Sequence, residues 1–445
     1  MTDVTSPSSS ADTDALRLRT VIWVVALATI GLVFDGYDLV VYGAVVSTFL
    51  RDATQIGQVT PPIAGMLGSY ALVGVLVGAL LTGTFGDIVG RRKVMLASYA
   101  WFSVGMALTA MSTSISAFGW LRFVTGLGVG ALVATTAALV SEYAPKDKKN
   151  LCNAISNGGI PLGSLLSALL AILLMEHIGW RGMFWIGALP IVTLLPLAYF
   201  KMPESVTWLA SRGRMDEARA LAARTGMPLP EAHAPVAHSA SGAHKIGFAG
   251  LFSRLYLFPT LVLGLMSATG LMLVYSLNTW LPELMLRAGF NAKGSLSFLL
   301  VLNGGSLFGA LAASRLADRF GPKLVVAGSF ATGALALVLL TQGFPLALLL
   351  MIVAVVGLGT SGTQTLIYGF VANYYRTNVR AAGVAWCAGF GRLGGIGGPM
   401  LGSFLIGANL DLNTIFYVLA GVGVLGIALT LLVPMERSAL AATAG

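Results

Sequence analysis

Charge is what this 445-residue chain lacks most. Asp, Glu, Lys and Arg make up 10% of it, against about 25% in a soluble globular domain. With 56% hydrophobic residues, that scarcity excludes a soluble globular fold and leaves a polytopic membrane protein. Cysteine is nearly absent too: Cys152 and Cys387 fall in or beside apolar runs and offer neither a disulfide framework nor a metal-ligand spacing. Histidine is as scarce. His177 falls in a short connection, and His233, His238 and His244 in a long polar middle loop. No expected spanning helix carries one, so any proton coupling must use carboxylates. A P-loop, a His/Cys/Glu metal cluster and a nucleophile motif are missing. The chain therefore calls for no cofactor, and a membrane-embedded enzyme or a sensor has little to build on. The opening residues lack the basic and short apolar regions of a signal peptide and read as a cytoplasmic tail.

What the chain has is length in apolar runs. Segments of about 20 residues suffice to span a bilayer as helices, and such runs fall at 21–48, 62–86, 93–113, 116–142, 152–175, 180–200, 256–282, 294–316, 323–342, 344–373, 381–407 and 413–434. The expected fold is all-α, with twelve transmembrane helices, because an open backbone cannot be satisfied in lipid. One set of connections collects most of the basic residues, among them Arg91, Arg92, Lys93, Lys148, Lys149, Arg315, Arg319, Lys323, Arg376 and Arg380. The other set holds only Arg51, Arg181, Arg287 and Lys293. By the positive-inside rule this predicts cytoplasmic N and C termini. It also accounts for the net charge of +9 without a nucleic-acid partner.

A polar connection rich in Pro, Ser and His divides the chain. The expected organisation is a tail over 1–20, a six-helix bundle over 21–202, a cytoplasmic linker over 203–254, a second six-helix bundle over 255–436 and a tail over 437–445. The two bundles read as repeats. Gly83-Thr-Phe-Gly-Asp87-Ile-Val-Gly90-Arg91-Arg92 follows the second run, and Ser314-Arg-Leu-Ala-Asp318-Arg-Phe-Gly321-Pro322-Lys323 follows the eighth. These segments resemble the signature of the major facilitator superfamily, with the second copy departing at Ser314 and Pro322. The resemblance implies two pseudo-symmetric bundles with substrate bound between them near midplane. Asp87, Gly90, Arg91, Arg92 and Asp318 are then gating candidates, through carboxylate contacts with basic groups or helix ends.

Two carboxylates lie inside the first run, in Phe34-Asp35-Gly36-Tyr37-Asp38. Each costs about 2.5–3.5 kcal/mol near the bilayer centre, so both should face a cavity or a cation. Arg122 in the fourth run is a candidate partner and, as an alternative to Arg392, a candidate for binding the substrate carboxylate. Asp35 lies about 21 Å above a start near Val21, and Arg122 about 9 Å below an outer start near Ser116. In a core of about 30 Å those depths coincide. An Asp35–Arg122 pair is either a structural ion pair or a proton switch. Glu142, at the end of the fourth run, is a further proton-coupling candidate or a solvated helix-end carboxylate. Arg392 sits near midplane among glycines in the eleventh run and needs an anion. A bound substrate, a first-half carboxylate or helix-end carbonyls would each serve. Aromatic and amide groups complete the candidate substrate contacts: Tyr42, Tyr275, Asn278, Trp280, Gln364 and Tyr368. Trp280 reads equally as an interfacial anchor.

The Asp-Gly-Tyr-Asp of the first run, Tyr275-Ser-Leu-Asn278-Thr-Trp280-Leu-Pro282 and Arg392 amid glycines together resemble the aromatic acid:proton symporters of that superfamily. The resemblance implies import of a benzoate or hydroxybenzoate type of carboxylate with protons, in a bacterial cytoplasmic membrane, by a protein acting as a monomer. Asp35, Asp38, Asp87, Arg122, Glu142, Asp318 and Arg392 match that family's functional positions. Pro203-Glu204-Ser205-x-x-Trp208-Leu209 is shared with sugar porters and separates substrates poorly. A shikimate-like or dicarboxylate symporter is the alternative. An efflux antiporter is disfavoured by Gly158-Gly159-Ile160-Pro161, which lacks an adjacent Gly-Pro.

Overall fold

Backbone in hydrocarbon must satisfy its own hydrogen bonds, and among the described residues every regular element is helical. The computed structural model describes residues 10–145, 148–229 and 248–434, except the side chains of 10–12, 83–87, 150, 377 and 378. The histidines of the middle loop and the C-terminal tail lie outside the described residues. In chain order the helices are α1 (Ser10–Arg51), α2 (Pro61–Val89), α3 (Arg91–Ala110), α4 (Ile115–Tyr143), α5 (Lys149–Asn157), α6 (Gly159–Ala188), α7 (Leu194–Lys201), α8 (Val206–Ser211) and α9 (Met215–Thr225). Then come α10 (Phe248–Leu251), α11 (Leu257–Arg287), α12 (Ala292–Phe320), α13 (Pro322–Leu339), α14 (Leu346–Gly357), α15 (Thr363–Tyr374), α16 (Thr377–Gly407) and α17 (Leu412–Leu432). Among the described residues nine stretches are long and apolar enough to cross a membrane. Helices α3 and α16 are outside that set; α3 opens Arg91-Arg92-Lys93, and α16 carries Arg380 and Arg392 among many glycines. One of the nine, Leu151–Lys201, is broken at Gly179, whose φ of 64° and ψ of −177° are not helical.

Three features differ from a simple reading of apolar runs. Helix α1 starts at Ser10, well inside the expected tail, because no Gly or Pro interrupts residues 11–30. The expected linker holds α8, α9 and α10, the first capped by the Ser205 side chain accepting from Trp208 N–H at 3.0 Å. The tenth run is two helices, α14 and α15, joined by a π-helical turn at Leu358–Gly362. Such a turn inserts one residue and re-phases everything after it.

Helix α1 packs on α6, α2 on α4, and α3 on both α4 and α6; α11 packs on α16, α13 on α17 and α12 on α14. Contacts between these two groups run through α2–α16, α6–α12 and α1–α11. They lie toward the face away from the basic connections, here the opposite face. There Gly43 lets α1 approach α11, since a Cβ would overlap the Asn278 carbonyl, and Ser69 donates to the Ile396 carbonyl at 2.7 Å.

The connections on the opposite face are tied by side chains. Gln55 accepts from Trp180 Nε1 at 2.8 Å and from Arg181 Nη1 at 3.3 Å, while Arg181 Nη2 donates to the carbonyls of Gln55 and Ser112 at 3.2 Å each. Asp52 accepts from Thr54 Oγ1 at 2.6 Å and Gln55 Nε2 at 2.6 Å. The Thr54 bonds first, then Gln55, hold its carboxyl below the usual range. Asp411 caps α17 in the same way, with Thr414 holding its carboxyl low.

Candidate functional site

Asp35 and Asp38 are both buried, at 4% and 1% exposure, midway along α1. Arg122, buried to 2%, makes its ion pair with Asp38, and its Nη2 also reaches the Asp38 carbonyl at 3.4 Å. The expected Asp35–Arg122 pair is therefore corrected by one turn. Matching Cα depths ignores side-chain lean, which follows each helix toward its own N-terminus. The α1 carboxylates lean toward the basic face, while Arg122, on antiparallel α4, leans toward the opposite face. It meets the carboxylate further along α1.

The Arg122 guanidinium also faces the rings of Phe184 at 5.7 Å and Tyr42 at 6.0 Å. Tyr42 is buried, and its hydroxyl donates to the Ala64 carbonyl at 2.5 Å. This ring packs against Arg122. The pair is incompletely bonded: Asp38 Oδ2 and Arg122 Nε are buried with no hydrogen-bond partner among the described residues.

Asp35 makes no salt bridge among the described residues. Arg392, on α16 in the other group of helices, acts on it electrostatically as an opposing charge, and Asp38 as a like charge. Arg392 acts electrostatically on Tyr275 and Tyr368 as well. Tyr368 lies beside Gln364 and Ser267, and Gln364 Nε2 donates to Ser267 Oγ at 3.0 Å. One carboxylate, one guanidinium, two phenols and an amide therefore converge where the two groups of helices meet. The sequence places them there by two devices. Glycines 391, 394 and 395 let α16 lie against Ser267, the Ala268 carbonyl and the Tyr275 ring of α11. The π-helical turn sets the phase of Gln364 and Tyr368.

Other candidates fall elsewhere. Asn278 Oδ1 accepts from Asn303 Nδ2 at 2.9 Å and Asn278 Nδ2 donates to the Val274 carbonyl at 2.8 Å, so its amide is used within the second group. Trp280 is buried to 1% and donates to the Pro399 carbonyl at 2.9 Å. It packs α11 on α16, neither lining the Arg392 cluster nor anchoring at an interface. Glu142 lies 3.4 Å from Arg91 Nε, about 30 Å along α4 from Arg122. That distance separates it from Asp35 and Asp38 and places it with the gating residues.

Those residues form a network at the basic face. Gly90, with φ 106°, turns α2 into α3. Arg92 donates its backbone N–H to Glu204 Oε1 at 2.9 Å and its Nη2 to the Tyr199 carbonyl at 2.5 Å, and Tyr143 donates to the Glu204 carbonyl. Glu204, in the Pro-Glu-Ser segment, is a site residue that the motif pointed to and sequence reasoning passed over. The Asp87 side chain lies outside the described residues. Asp318 is exposed and has no ion pair among the described residues, so the second copy of the motif builds no matching network.

At the opposite face the sparse cations join the two groups of helices. Glu283, 4% exposed, lies 3.1 Å from Arg51 of α1 and 3.0 Å from Arg287; Lys293 lies 2.8 Å from Glu176. Sequence reasoning used these cations for orientation alone. With Arg51 half-exposed, the inter-group contact is worth on the order of 1 kcal/mol. Glu283→Gln is expected to raise the population opened at this face by about fivefold. Spin labels at Ala53 and Ala288 would report it as a longer-distance population; an unchanged distribution rejects a latch role.

Residues 24–440 match the model of a family described as "Sugar (and other) transporter". The chain is 33% identical to a benzoate transport protein of Acinetobacter baylyi over 93% of its own length and 90% of that protein's. It is 32% identical to a gentisate transporter of Corynebacterium glutamicum over 92% of its own length and 86% of that protein's. Its backbone matches the xylose transporter XylE from E. coli, in a partially occluded inward open conformation, with a TM-score of 0.73 at 19% identity, over 93% of this chain and 98% of that one.

Proposed function

Since this chain belongs to the sugar (and other) transporter family, we propose that it imports an aromatic carboxylate of the benzoate or hydroxybenzoate type with protons, by alternating access. The observation that carries this reading is Arg392, which acts electrostatically on Asp35, Tyr275 and Tyr368 from a helix that packs closely on α11. A guanidinium binds a carboxylate with charge-assisted hydrogen bonds. Two phenol rings offer an aromatic ring offset-stacked or edge-on partners, and the Tyr368–Gln364–Ser267 group offers polar contacts to ring hydroxyls. The named activities of the benzoate and gentisate relatives support the same substrate class.

Asp35 is the proton carrier in this mechanism. Two anions cannot share one guanidinium at low cost in a water-poor site, and a proton on Asp35 relieves the conflict. Proton and anion then cross together as a neutral pair, and the two bundles, residues 21–202 and 255–436, rock about them. Twelve crossings, termini on the cytoplasmic side and a monomer in the bacterial cytoplasmic membrane complete the reading. The excess of basic residues on the face that carries both termini supports that orientation.

Uptake of labelled benzoate and 4-hydroxybenzoate into proteoliposomes, with and without an imposed proton gradient, tests the proposal. Arg392→Gln is expected to lower the apparent affinity at least tenfold, since a lost charge-assisted contact is worth about 1.5–3 kcal/mol. Uptake of xylose with indifference to benzoates would overturn it.

A further inference from the structure

An apolar groove of about 520 Å³ runs between α1 and the first turns of α5, lined by Leu18, Ile22, Ala26, Ile30 and Ile155, with Lys148 at one end. It faces away from the transport site. Ala26 precedes Asp35 by nine residues, about half a turn around the helix at 100° per residue. The mouth is apolar yet open: Leu18 is 59% exposed, Ile22 58% and Ile155 49%. In a membrane protein such a surface meets hydrocarbon.

The groove is also polarised in depth. From Leu18 to Ile30 it climbs about 18 Å along α1, close to the thickness of one leaflet's hydrocarbon, about 15 Å. Its cations sit only at the basic-face end, where headgroups lie. Lys148 is exposed and lines the groove. Arg19 is exposed and stands i−3 from Ile22, on the same helix face. Neither makes an ion pair among the described residues.

We infer that this groove is a binding site for an anionic phospholipid of the leaflet on the basic face, with one acyl chain along α1 and its phosphate on Lys148 and Arg19. An acyl chain satisfies the apolar wall, and clustered cations at the membrane surface recognise an anionic headgroup. Cys152, nearly buried, lies on the wall the chain would cover.

Native mass spectrometry of the full-length protein, taken from vesicles of phosphatidylcholine with or without one-fifth phosphatidylglycerol, reads the retained lipid. Wild type should retain phosphatidylglycerol and not phosphatidylcholine. Lys148→Gln with Arg19→Gln should weaken retention about thirtyfold, at about fivefold per cation. Ala26→Trp, which fills the groove and keeps both charges, should abolish it. Maleimide labelling of Cys152 in wild type should slow when phosphatidylglycerol is present, a readout that does not depend on any variant folding. Equal retention in all variants with unchanged labelling would overturn the site. So would displacement of the lipid by millimolar inorganic phosphate, which would mean a phosphate site without the acyl chain.

Discussion

Arg122→Leu is expected to destabilise the purified protein by about 3–5 kcal/mol, the usual cost of leaving one member of a buried ion pair without its partner. Asp38 would remain at 1% exposure with its counter-charge gone. The Arg122 contacts with Phe184 and Tyr42 are lost as well, adding about 1–2 kcal/mol. Asp38→Leu alone should cost a similar amount, by stranding the guanidinium. The double variant should recover most of the loss, because apolar replacement of a whole buried pair is often neutral. Denaturant or thermal unfolding in detergent measures the cycle, and additivity of the two single variants would show that the pair does not act as a unit.

The double variant also separates the two roles open to the pair. If it folds and transports, the pair holds α1 against α4 and nothing more. If it folds and does not transport, the charges act in the cycle. The unpartnered Asp38 Oδ2 and Arg122 Nε favour the second outcome: a pair serving only to fix packing gains from full hydrogen bonding, and this one leaves a position on each partner free for exchange.

Several parts of this site were legible in the sequence, for reasons that differ by residue. Asp35, Asp38, Arg122 and Arg392 stand out because charge in an apolar run is costly whatever the fold. Depth arithmetic then brought α1 and α4 to the right level, but depth is one coordinate. The choice between Asp35 and Asp38 needed side-chain lean and helix phase, which apolar runs do not encode. Glu142, expected at the end of the fourth run, lies there beside Arg91, because an acidic residue that closes an apolar run marks the helix end. Asn278 and Trp280 looked like cavity groups from composition, whereas Asn303 and the Pro399 carbonyl, distant in sequence, consume their hydrogen bonds. The π-helical turn at Leu358–Gly362 left no periodic signal, yet it orients Gln364 and Tyr368.

Asp35→Asn is expected to uncouple the protein rather than silence it. In a one-to-one symport of a proton with a monoanion, each unit of pH gradient supplies about 1.36 kcal/mol, so a two-unit gradient drives up to about 100-fold accumulation. Asparagine resembles the protonated carboxyl in shape and neutrality but carries no proton to exchange. Arg392 in Asp35→Asn would face no competing first-half carboxylate at that position, so substrate should still bind. Accumulation should fall to a ratio of about 1, while exchange of labelled for unlabelled benzoate across the same proteoliposomes continues. Asp38→Asn should behave differently, since Asp38 is held by Arg122 and its loss disturbs the α1–α4 contact before any transport step. Full accumulation by Asp35→Asn would remove Asp35 from the proton path. Loss of exchange together with accumulation would make it a substrate-binding or packing residue. Only the split between the two assays fits a carboxylate on which Arg392 acts electrostatically without being bonded to it.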